Sequence, residues 1–291
     1  MSFVRKKEQR ELPLPLSVSI IASNEEENLR WCLDSLEGIA AEIVLVHNDC
    51  KDGTVEVAEE FGATCYEETW HGHRDQKNIA LTRTTQEWVL ALDADEALSP
   101  IMWHSIAEFI RSDPPETING AYFNRLSTFL GKWIRHGDWY PDQKLRLVRN
   151  GFATWRGSRE HDKLELLSGE CKHLKGDLLH YSYPSLNSFV EKAVYFSDIY
   201  LQRQLDAGTK WKKRNAFVRP IWRFIRAYII RRGFLDGFPG FFIACATAYM
   251  ALMRHSRLYE HNVLKSFEEE PQGHELSTQE IEFHEEEEYH G

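Results

Sequence analysis

The sequence predicts an α/β fold built around a parallel sheet. In the first hundred residues, short apolar segments alternate with segments of helical periodicity, which is the pattern of βαβ units. Residues 43–46 are four consecutive apolar residues, as expected for a strand covered on both faces. The chain has 291 residues, enough for one large domain or two small ones with a buried core.

The first half of the chain predicts its elements in regular succession. Asn24 stands three residues before Glu27, as in a capping box, so we expect Asn24 to cap the first helix. Gly62 occupies the place of a C-cap glycine, and Pro100 is tolerated in the first turn of a helix. The predicted order is strand 18–21, a helix after Asn24, strand 43–46, helix 54–61, strand 63–66, helix 74–82, strand 88–92 and helix 100–111.

The pattern changes after the two prolines at 114 and 115. Alternating segments at 121–129, 144–148 and 164–167 predict antiparallel strands added to the same sheet. Residues 185–205 have the apolar spacing of an amphipathic helix. The sheet is therefore predicted to be mixed and to be followed by a helical extension.

The extension is basic and apolar. Residues 210–232 contain nine Lys or Arg and no acid, with aromatic and aliphatic residues at helical spacing, and an apolar segment follows at 241–253. Such a helix suits the surface of an anionic membrane, so we expect contact with a membrane through the 210–255 region. The alternative is a helix that packs on the rest of the protein and presents its arginines to water. No nucleic-acid motif accompanies the charge, and no nucleic-acid partner is expected.

The net charge of −10 belongs to the last part of the chain. Residues 260–291 hold eleven Glu and one Lys, so residues 1–259 hold 34 basic and 34 acidic residues. The Glu-rich segment from 266 has too little apolar surface to offset the entropy cost of ordering it, and it is expected to be disordered. The predicted division is an arm at 1–14, a catalytic domain at 15–210, the membrane-facing extension at 211–265 and the acidic tail at 266–291.

Cysteine usage and the N-terminus indicate a cytoplasmic protein. The five cysteines are widely spaced and include no CxxC pair, which favours reduced packing thiols. The N-terminal residues lack the apolar stretch of a signal peptide. The longest uncharged run, residues 237–253, is shorter than the ~20 residues that cross a bilayer. We therefore expect peripheral association with the inner (plasma) membrane.

A carboxylate cluster follows the strand at 88–92. Asp93, Asp95 and Glu96 stand at the carboxyl end of a strand, where open α/β sheets bind ligands. Two carboxylates one residue apart suit Mn²⁺ or Mg²⁺, which share their coordination with phosphates. The alternative is a solvated acidic turn.

Four segments in order resemble family-2 glycosyltransferases over roughly residues 17–100. They read SVSIIASNEEENLRWCLDSL, EIVLVHNDCKDGT, WHGHRDQKNIAL and EWVLALDADE. The resemblance implies a GT-A fold with a mixed, mostly parallel central sheet, a nucleotide-sugar donor and a metal site of the DxD type. A sugar nucleotidyltransferase does not fit, because the Gly-rich loop expected after the first strand is missing.

The resemblance assigns roles by position. Asn24 and Glu25 would contact the nucleoside, Asp52 would be the acid after the second strand, and Lys77 would lie along the donor. Many family members have Asp-Ser directly after the second strand, where this chain has His47-Asn48. Either Asp49 takes over from a shifted position or base recognition differs. The implied donor-binding residues are Asn24, Glu25, Asp49, Asp52, Lys77 and Asp93.

The metal ligands follow from the same resemblance and from the chemistry of the residues. Asp93 would face the ribose and the metal, and Asp95 would be a direct ligand. His180 could complete the site, because histidine can join carboxylates around Mn²⁺. A second-shell or core histidine is the competing interpretation.

The second half resembles the branch of the family that builds bacterial lipopolysaccharide core and capsule. Where that branch usually has His-Glu before a Leu-x-Leu strand, this chain has His161-Asp162. An inverting transfer needs one carboxylate to take a proton from the acceptor hydroxyl. We nominate Asp162 as this base, with Glu160 in reserve, and Trp139 and Asp142 as acceptor-binding residues.

The expected function is transfer of a sugar to a hydroxyl of a lipid-linked glycan with inversion. Two alternatives remain at this point. A polyprenyl-phosphate glycosyltransferase would use the same fold with a phosphate acceptor. The second alternative is a catalytically degenerate binding or scaffold protein. His47-Asn48 favours this alternative slightly, whereas the intact DxD argues strongly against it.

Overall fold

A computed structural model of the protein describes residues 13–158, 161–183 and 185–264. The predicted acidic tail and Glu160 lie outside the described residues, as does almost all of the predicted N-terminal arm.

The strands in the described part of the chain form one large sheet and one hairpin. Nine strands are hydrogen-bonded in the order β3-β2-β1-β4-β8-β6-β11-β5, with β7 attached to β6, while β9 and β10 form a separate antiparallel pair. The eleven strands are β1 (Leu14–Ala22), β2 (Ala40–His47), β3 (Thr64–Glu67), β4 (Trp88–Asp93), β5 (Glu96–Leu98), β6 (Ile118–Phe129), β7 (Lys132–Trp133), β8 (Asp142–Arg149), β9 (Ala153–Ser158), β10 (His161–Leu166) and β11 (Glu170–Tyr183).

The sheet is mixed. Strands β3, β2, β1 and β4 run parallel to one another, β8 is antiparallel to both of its neighbours, and β6 pairs with β11 in parallel. Parallel ladders account for most of the paired residues. The predicted α/β class with a mixed, mostly parallel central sheet is confirmed.

Within the described residues, seven α-helices accompany the sheet. They are α1 (Glu26–Asp34), α2 (Thr54–Glu60), α3 (His73–Thr82), α4 (Pro100–Arg111), α5 (Leu186–Asp206), α6 (Lys213–Ile225) and α7 (Gly237–Tyr259). The α4 helix begins as the sequence predicts: Pro100 is its first residue, and the Ser99 side chain accepts a hydrogen bond from the backbone N–H of Met102. The α2 helix ends before Gly62, whose φ of +74° is easily adopted without a Cβ.

The main core lies around the two central parallel strands. Leu16 and Ile20 of β1 and Leu90 of β4 are at most 1% exposed and belong to the core that includes α1 and α4. Trp88 meets Phe109 of α4 edge to face, with ring centroids 5.2 Å apart. This burial fixes the strand that carries the carboxylate cluster.

Two sequence predictions are wrong in detail. The segment 164–167 does not join the large sheet, because residues 161–166 pair with β9 in the hairpin, where Leu164 lies opposite Trp155. Asn24 does not cap the first helix: Glu25 is the N-cap residue of α1 and no side chain caps it. The alternating pattern gave the strand but not its partner, and Asn24 instead bonds to the loop after β2.

The helical extension packs against the end of the sheet. Phe129 and Ile134 of the sheet region share a buried cluster with Ile243 of α7. The Asp138 carboxylate, in a side chain 11% exposed, lies 3.5 to 3.6 Å from guanidinium nitrogens of Arg223, Arg226 and Arg231. Apolar and ionic contacts thus hold the extension on the sheet.

One helical stretch among the described residues, Gly233–Leu264, is long and apolar enough to cross a membrane by length and composition. It spans 32 residues, and an 18-residue window within it has a mean hydropathy of 1.3. Core helices of soluble proteins pass the same test, so peripheral association stays a prediction.

Candidate active site

Three parallel strands end at one edge of the sheet and bring their following residues together. Ala22 at the end of β1 pairs with His47 at the end of β2, and Ile21 pairs with Asp93 at the end of β4. The carboxyl edge of parallel strands is where such sheets bind ligands. The motifs that are separate in the sequence therefore meet at this edge.

Asp93 sits between two cations. Its Oδ1 lies 2.6 Å from Lys77 Nζ, and its Oδ2 lies 2.8 Å from Arg146 Nη2. Burial alone would raise the pKa of Asp93, but Lys77 and Arg146 outweigh burial and hold that pKa well below its usual range. Arg146 also bonds at 2.8 Å to Glu96, which is fully buried. Asp93 is therefore a fixed anion within a charge network.

Lys77 extends this network to the nominated base. Its Nζ lies 2.8 Å from Asp162 Oδ2, so one ammonium contacts both Asp93 and Asp162. The Trp155 ring lies beside both cations, with its centroid 4.4 Å from Lys77 Nζ and 5.3 Å from Arg146 Cζ. The β9–β10 hairpin, which supplies Trp155 and Asp162, therefore closes one side of the site.

Asp95 faces His180 across the same edge. His180 Nε2 lies 3.3 Å from Asp95 Oδ2, and the backbone N–H of Tyr181 donates to the Asp95 carbonyl at 3.1 Å. On the other side of the ring, His180 Nδ1 lies 3.0 Å from Ser127 Oγ and 2.6 Å from Ser182 Oγ. These hydroxyls fix the ring so that Nε2 points at the carboxylate.

The described residues contain no group of three or more His, Cys, Asp or Glu that could hold a metal ion. The structure brings Asp95 and His180 together, but it engages Asp93 with Lys77 and Arg146 instead. Mg²⁺ and Mn²⁺ are often bound by one or two protein residues together with substrate phosphates. The Asp95–His180 pair fits that arrangement.

The predicted nucleoside-binding residues line the loops after β1 and β2. Asn24 has a φ of +57°, and its Oδ1 accepts a hydrogen bond from the Lys51 N–H at 2.7 Å. Asp52 accepts from the backbone N–H groups of Glu26 at 3.2 Å and Thr54 at 3.1 Å. These bonds tie the two loops to each other. Both side chains therefore stabilise the loop structure, in addition to any contact with a donor.

Glu25 lies nearer to the carboxylate cluster. Its Oε2 accepts a hydrogen bond from Asn28 Nδ2 at 2.7 Å. Burial raises the pKa of Glu25, and the charge of Asp95 adds to this shift. Glu25 therefore shares the electrostatic environment of the site.

The departure from the family pattern at residues 47–49 has a clear geometry. Asp49 has a side chain 75% exposed, and it pairs with Lys51 at 3.5 Å. His47 Nδ1 is buried and has no hydrogen-bond partner. Asn48 Nδ2 donates to the Glu68 carbonyl at 3.1 Å. Of these two residues, His47 has the buried polar atom without a partner, whereas the Asp49 carboxylate is exposed and paired.

The two nominated acceptor residues lie in different environments. Trp139 packs in an aromatic group, with its ring centroid 5.6 Å from that of Phe129 and 5.3 Å from that of Tyr183. Asp142 accepts a hydrogen bond from Arg125 Nε at 3.0 Å. Arg125 also reaches Glu96 at 3.4 Å, so Asp142 is connected to the network around Asp93.

Comparison with known proteins places this site in a family. The profile described as "Glycosyl transferase family 2" matches residues 17–159. An uncharacterized glycosyltransferase of Rickettsia typhi is 30% identical over 254 residues, covering 84% of this chain and 87% of that protein. The chain belongs to glycosyl transferase family 2.

Two further similarities concern this glycosyltransferase. The lipopolysaccharide core biosynthesis glycosyltransferase LpsC of Rhizobium meliloti is 27% identical over 259 residues, covering 87% of this chain and 95% of LpsC. Among solved structures, glucosyl-3-phosphoglycerate synthase from Mycobacterium tuberculosis, in complex with Mn²⁺, uridine diphosphate and glucosyl-3-phosphoglycerate, matches with a TM-score of 0.31 and 18% identity. That match covers 42% of this chain and 46% of the synthase.

Sequence reasoning missed several residues that build the site of this glycosyltransferase. Arg146 and Arg125 form the network behind Asp93, and Trp155 lies beside its cations; Glu96, which the sequence placed in the carboxylate cluster without a role, is the buried anion of this network. One signal was available: Arg146 stands between Leu145 and Leu147 in a predicted strand and is 4% exposed. A buried cation requires a buried anion, which the acidic cluster after β4 supplies.

Proposed function

We propose that this glycosyltransferase moves a sugar from a nucleotide-sugar donor to a hydroxyl of a lipid-linked glycan, with inversion. The observation that carries the proposal is the position of Asp162. Its carboxylate shares Lys77 with Asp93, so a base candidate from the second half lies beside the DxD edge. The intact charge network argues against a degenerate scaffold.

The proposed reaction is a single direct displacement. The acceptor hydroxyl oxygen attacks the anomeric carbon while the bond to the diphosphate breaks, and the diphosphate leaves with the electron pair. Asp162 accepts the hydroxyl proton, as a general base must. Attack opposite to the leaving group inverts the anomeric centre, and no covalent sugar intermediate is needed.

The cations around Asp93 fix the positions of the carboxylates that this step uses. Lys77 and Arg146 keep Asp93 ionised and fixed in position. Lys77 is a compact charge suited to a phosphate. Because it contacts Asp93 and Asp162 together, it orients the base relative to the donor edge. Glu25, Asn24 and Asp52 would face the nucleoside.

Asp95 and His180 would hold the divalent ion, Mn²⁺ or Mg²⁺. When bound, the ion neutralises charge that grows on the departing diphosphate. The Ser127 and Ser182 hydroxyls orient His180, as second-shell groups do in metal sites.

Two observations support a lipid-linked acceptor, namely the helical extension and the similarity to one relative. LpsC is named for lipopolysaccharide core biosynthesis, and its similarity to this chain covers 95% of LpsC. The exposed apolar residues of α6, among them Phe217 at 63% and Ile221 at 63%, suit contact with a membrane. We infer a cytoplasmic enzyme associated peripherally with the inner membrane.

A donor panel tests the proposal. The purified protein is incubated with UDP-, GDP-, dTDP- and CMP-sugars and Mn²⁺ or Mg²⁺, and binding and slow hydrolysis are measured. We expect metal-dependent binding of one donor, lost in Asp95→Ala and retained in Asp34→Ala, whose exposed side chain lies on α1. Binding of none of these donors by folded protein would refute the proposal.

A further inference from the structure

A cavity lined by arginines lies between the helical extension and the end of β11. Its volume is about 310 Å³. Three arginines of α6 and α7 line it, namely Arg219, Arg223 and Arg254, together with the rings of Trp139, Tyr183 and Tyr200. No carboxylate is among the described residues that line the cavity. The cavity therefore concentrates positive charge beside aromatic walls.

The arginines are poorly compensated by the described part of the chain. Arg219 and Arg254 form no ion pair with a described residue, and Arg254 Nε is buried without a hydrogen-bond partner. The Arg254 guanidinium lies 4.9 Å from the Tyr200 ring centroid, which holds it in place. Arg223 is 3.6 Å from Asp138, which it shares with two other arginines. Arg219 and Arg223 are exposed at this cavity, so their guanidinium groups and the buried Arg254 Nε are available to one incoming anion.

The chemistry of the arginines favours a phosphoryl group as this anion. Guanidinium groups bind phosphate oxygens with paired hydrogen bonds. A lone buried Nε with no protein acceptor is a donor that a phosphate oxygen would satisfy. The position of Arg223 and Arg254 on two different helices means that one anion could be held from two sides.

An apolar groove adjoins the cavity. Its volume is about 370 Å³, and it runs between α5 and α7. The groove shares Phe189, Ala193, Ala246 and Met250 with the arginine cavity. Its other lining residues are mostly apolar and include Val194, which is 56% exposed. A charged cavity that continues into an apolar groove is complementary to a phosphate joined to a hydrocarbon chain.

We propose that this paired cavity and groove bind the phosphoryl group and hydrocarbon chain of a phosphate-bearing lipid. The statement that this lipid is part of the acceptor rests on the proposed function. Tyr183 lines the cavity, and it follows His180 by three residues on β11, about 10 Å along a strand. The phosphate would therefore anchor the acceptor at a short, fixed distance from the reaction edge.

The first test measures binding of the full chain to vesicles. Vesicles of phosphatidylcholine with 10 mol% phosphatidic acid are compared with phosphatidylcholine vesicles in a co-sedimentation assay. We expect Arg219→Gln/Arg254→Gln to weaken binding to the phosphatidic acid vesicles about tenfold. Lys172→Gln/Lys175→Gln removes the same charge from exposed positions on β11, outside both the extension and the cavity, and should change binding less than about twofold. Equal losses in both double variants would overturn the proposal.

The second test separates the lipid from free phosphate. Inorganic phosphate should compete with the vesicles weakly, because it lacks the hydrocarbon chain. Val194→Glu places a charge in the groove and should weaken vesicle binding, whereas Ile101→Glu, at a similarly exposed apolar position on α4 outside the extension, should not. Full competition by inorganic phosphate, with no effect of Val194→Glu, would show a phosphate site without a lipid and contradict the proposal.

Failure of this inference is distinguishable from failure of the proposed function. Thermal unfolding and donor hydrolysis of Arg219→Gln/Arg254→Gln should match the wild type, because neither residue lies at the donor edge. If the wild type turns over a donor but the lipid tests fail, only the lipid site is refuted. If no donor is turned over but the lipid tests succeed, the phosphate-bearing lipid stands without its proposed role as acceptor.

Discussion

The ammonium of Lys77, on α3, lies 2.8 Å from the carboxylate of Asp162, on β10. This ion pair joins the motif-bearing first half of the chain to the hairpin of the second half. It also places an anion beside the DxD edge, with Asp93 on the same lysine at 2.6 Å. A carboxylate held in this way is positioned before the acceptor arrives.

Replacement of Asp162 tests its role as base. Asp162→Asn should lower kcat by a factor of about 10² to 10⁴ with a hydroxyl acceptor, because the proton then has no receiver. The KM for the donor should change little. The matched control is Glu165→Gln, an exposed acid on the same strand, which should keep full activity. Near-full activity of Asp162→Asn would favour a phosphate acceptor, which needs no strong base.

The lowered pKa of Asp93 predicts a pH dependence of stability. The folded protein favours the ionised form, so this stabilisation is complete above the ordinary Asp pKa of about 3.9 and is lost as pH falls below it. Asp93→Asn leaves Lys77 and Arg146 without their shared anion. We expect its destabilisation, about 2 kcal/mol or more at pH 7, to shrink towards pH 3.

Urea unfolding at pH 7 and pH 3 measures this difference in the free energy of unfolding. Asp34→Asn, an exposed acid on α1, should show a small effect at both pH values. A destabilisation by Asp93→Asn that is equal at the two pH values would show that the charge of Asp93 does not contribute.

The Ser182 hydroxyl should tune metal binding through His180. Ser182 Oγ lies 2.6 Å from His180 Nδ1, so Ser182→Ala removes one of two groups that orient the ring. We expect Mn²⁺ affinity, measured by calorimetry with a nucleoside diphosphate present, to fall about tenfold. Ser168→Ala on an exposed turn should have no effect. An unchanged affinity in Ser182→Ala would argue against His180 as a ligand.

The geometry at residues 47–49 predicts which residue reads the base. His47 has a buried, unpartnered Nδ1, whereas Asp49 points to solvent beside Lys51. His47→Ala should change the relative KM values for donors with different bases. Asp49→Ala should leave that preference unchanged. The opposite result would mean that Asp49 has taken over the family position from outside the strand.

The docking of the extension depends on Asp138. Asp138→Asn removes the charge that three arginines share, and we expect it to lower the free energy of unfolding by about 1–3 kcal/mol, since those arginines are partly exposed. Asp198→Asn breaks the ion pair between α5 and Arg257 at a half-exposed position and should cost less. Denaturant unfolding ranks the two variants, and equal costs would contradict a special role for Asp138.

Local patterns in the sequence predicted the elements of the first half well. The strand at β4, its carboxylates and the helix from Pro100 all follow from local signals such as an apolar run, a strand end and a proline in the first turn. The position of Asp95 at the edge of the sheet follows from the same signals. These features depend on neighbours in the chain, so one sequence is enough to find them.

Long-range pairing could not be predicted in the same way. The prediction that residues 164–167 join the large sheet was wrong, because an alternating pattern shows which face each side chain takes but not which strand lies alongside. Asn24 bonds to the loop after β2 instead of capping α1, since both arrangements use the same side-chain oxygen. The network of Arg146 and Glu96 depends on contacts between distant segments, and only the three-dimensional arrangement shows them.

The cluster of Phe129, Ile134 and Ile243 has a consequence for how this enzyme could be recombined. One side of that cluster belongs to the sheet and the other to α7. An extension transplanted from another family member would meet aromatic and aliphatic surfaces shaped for a different partner. Chimeras that exchange residues 211–264 alone should therefore be less stable than chimeras that also exchange the β6–β7 segment.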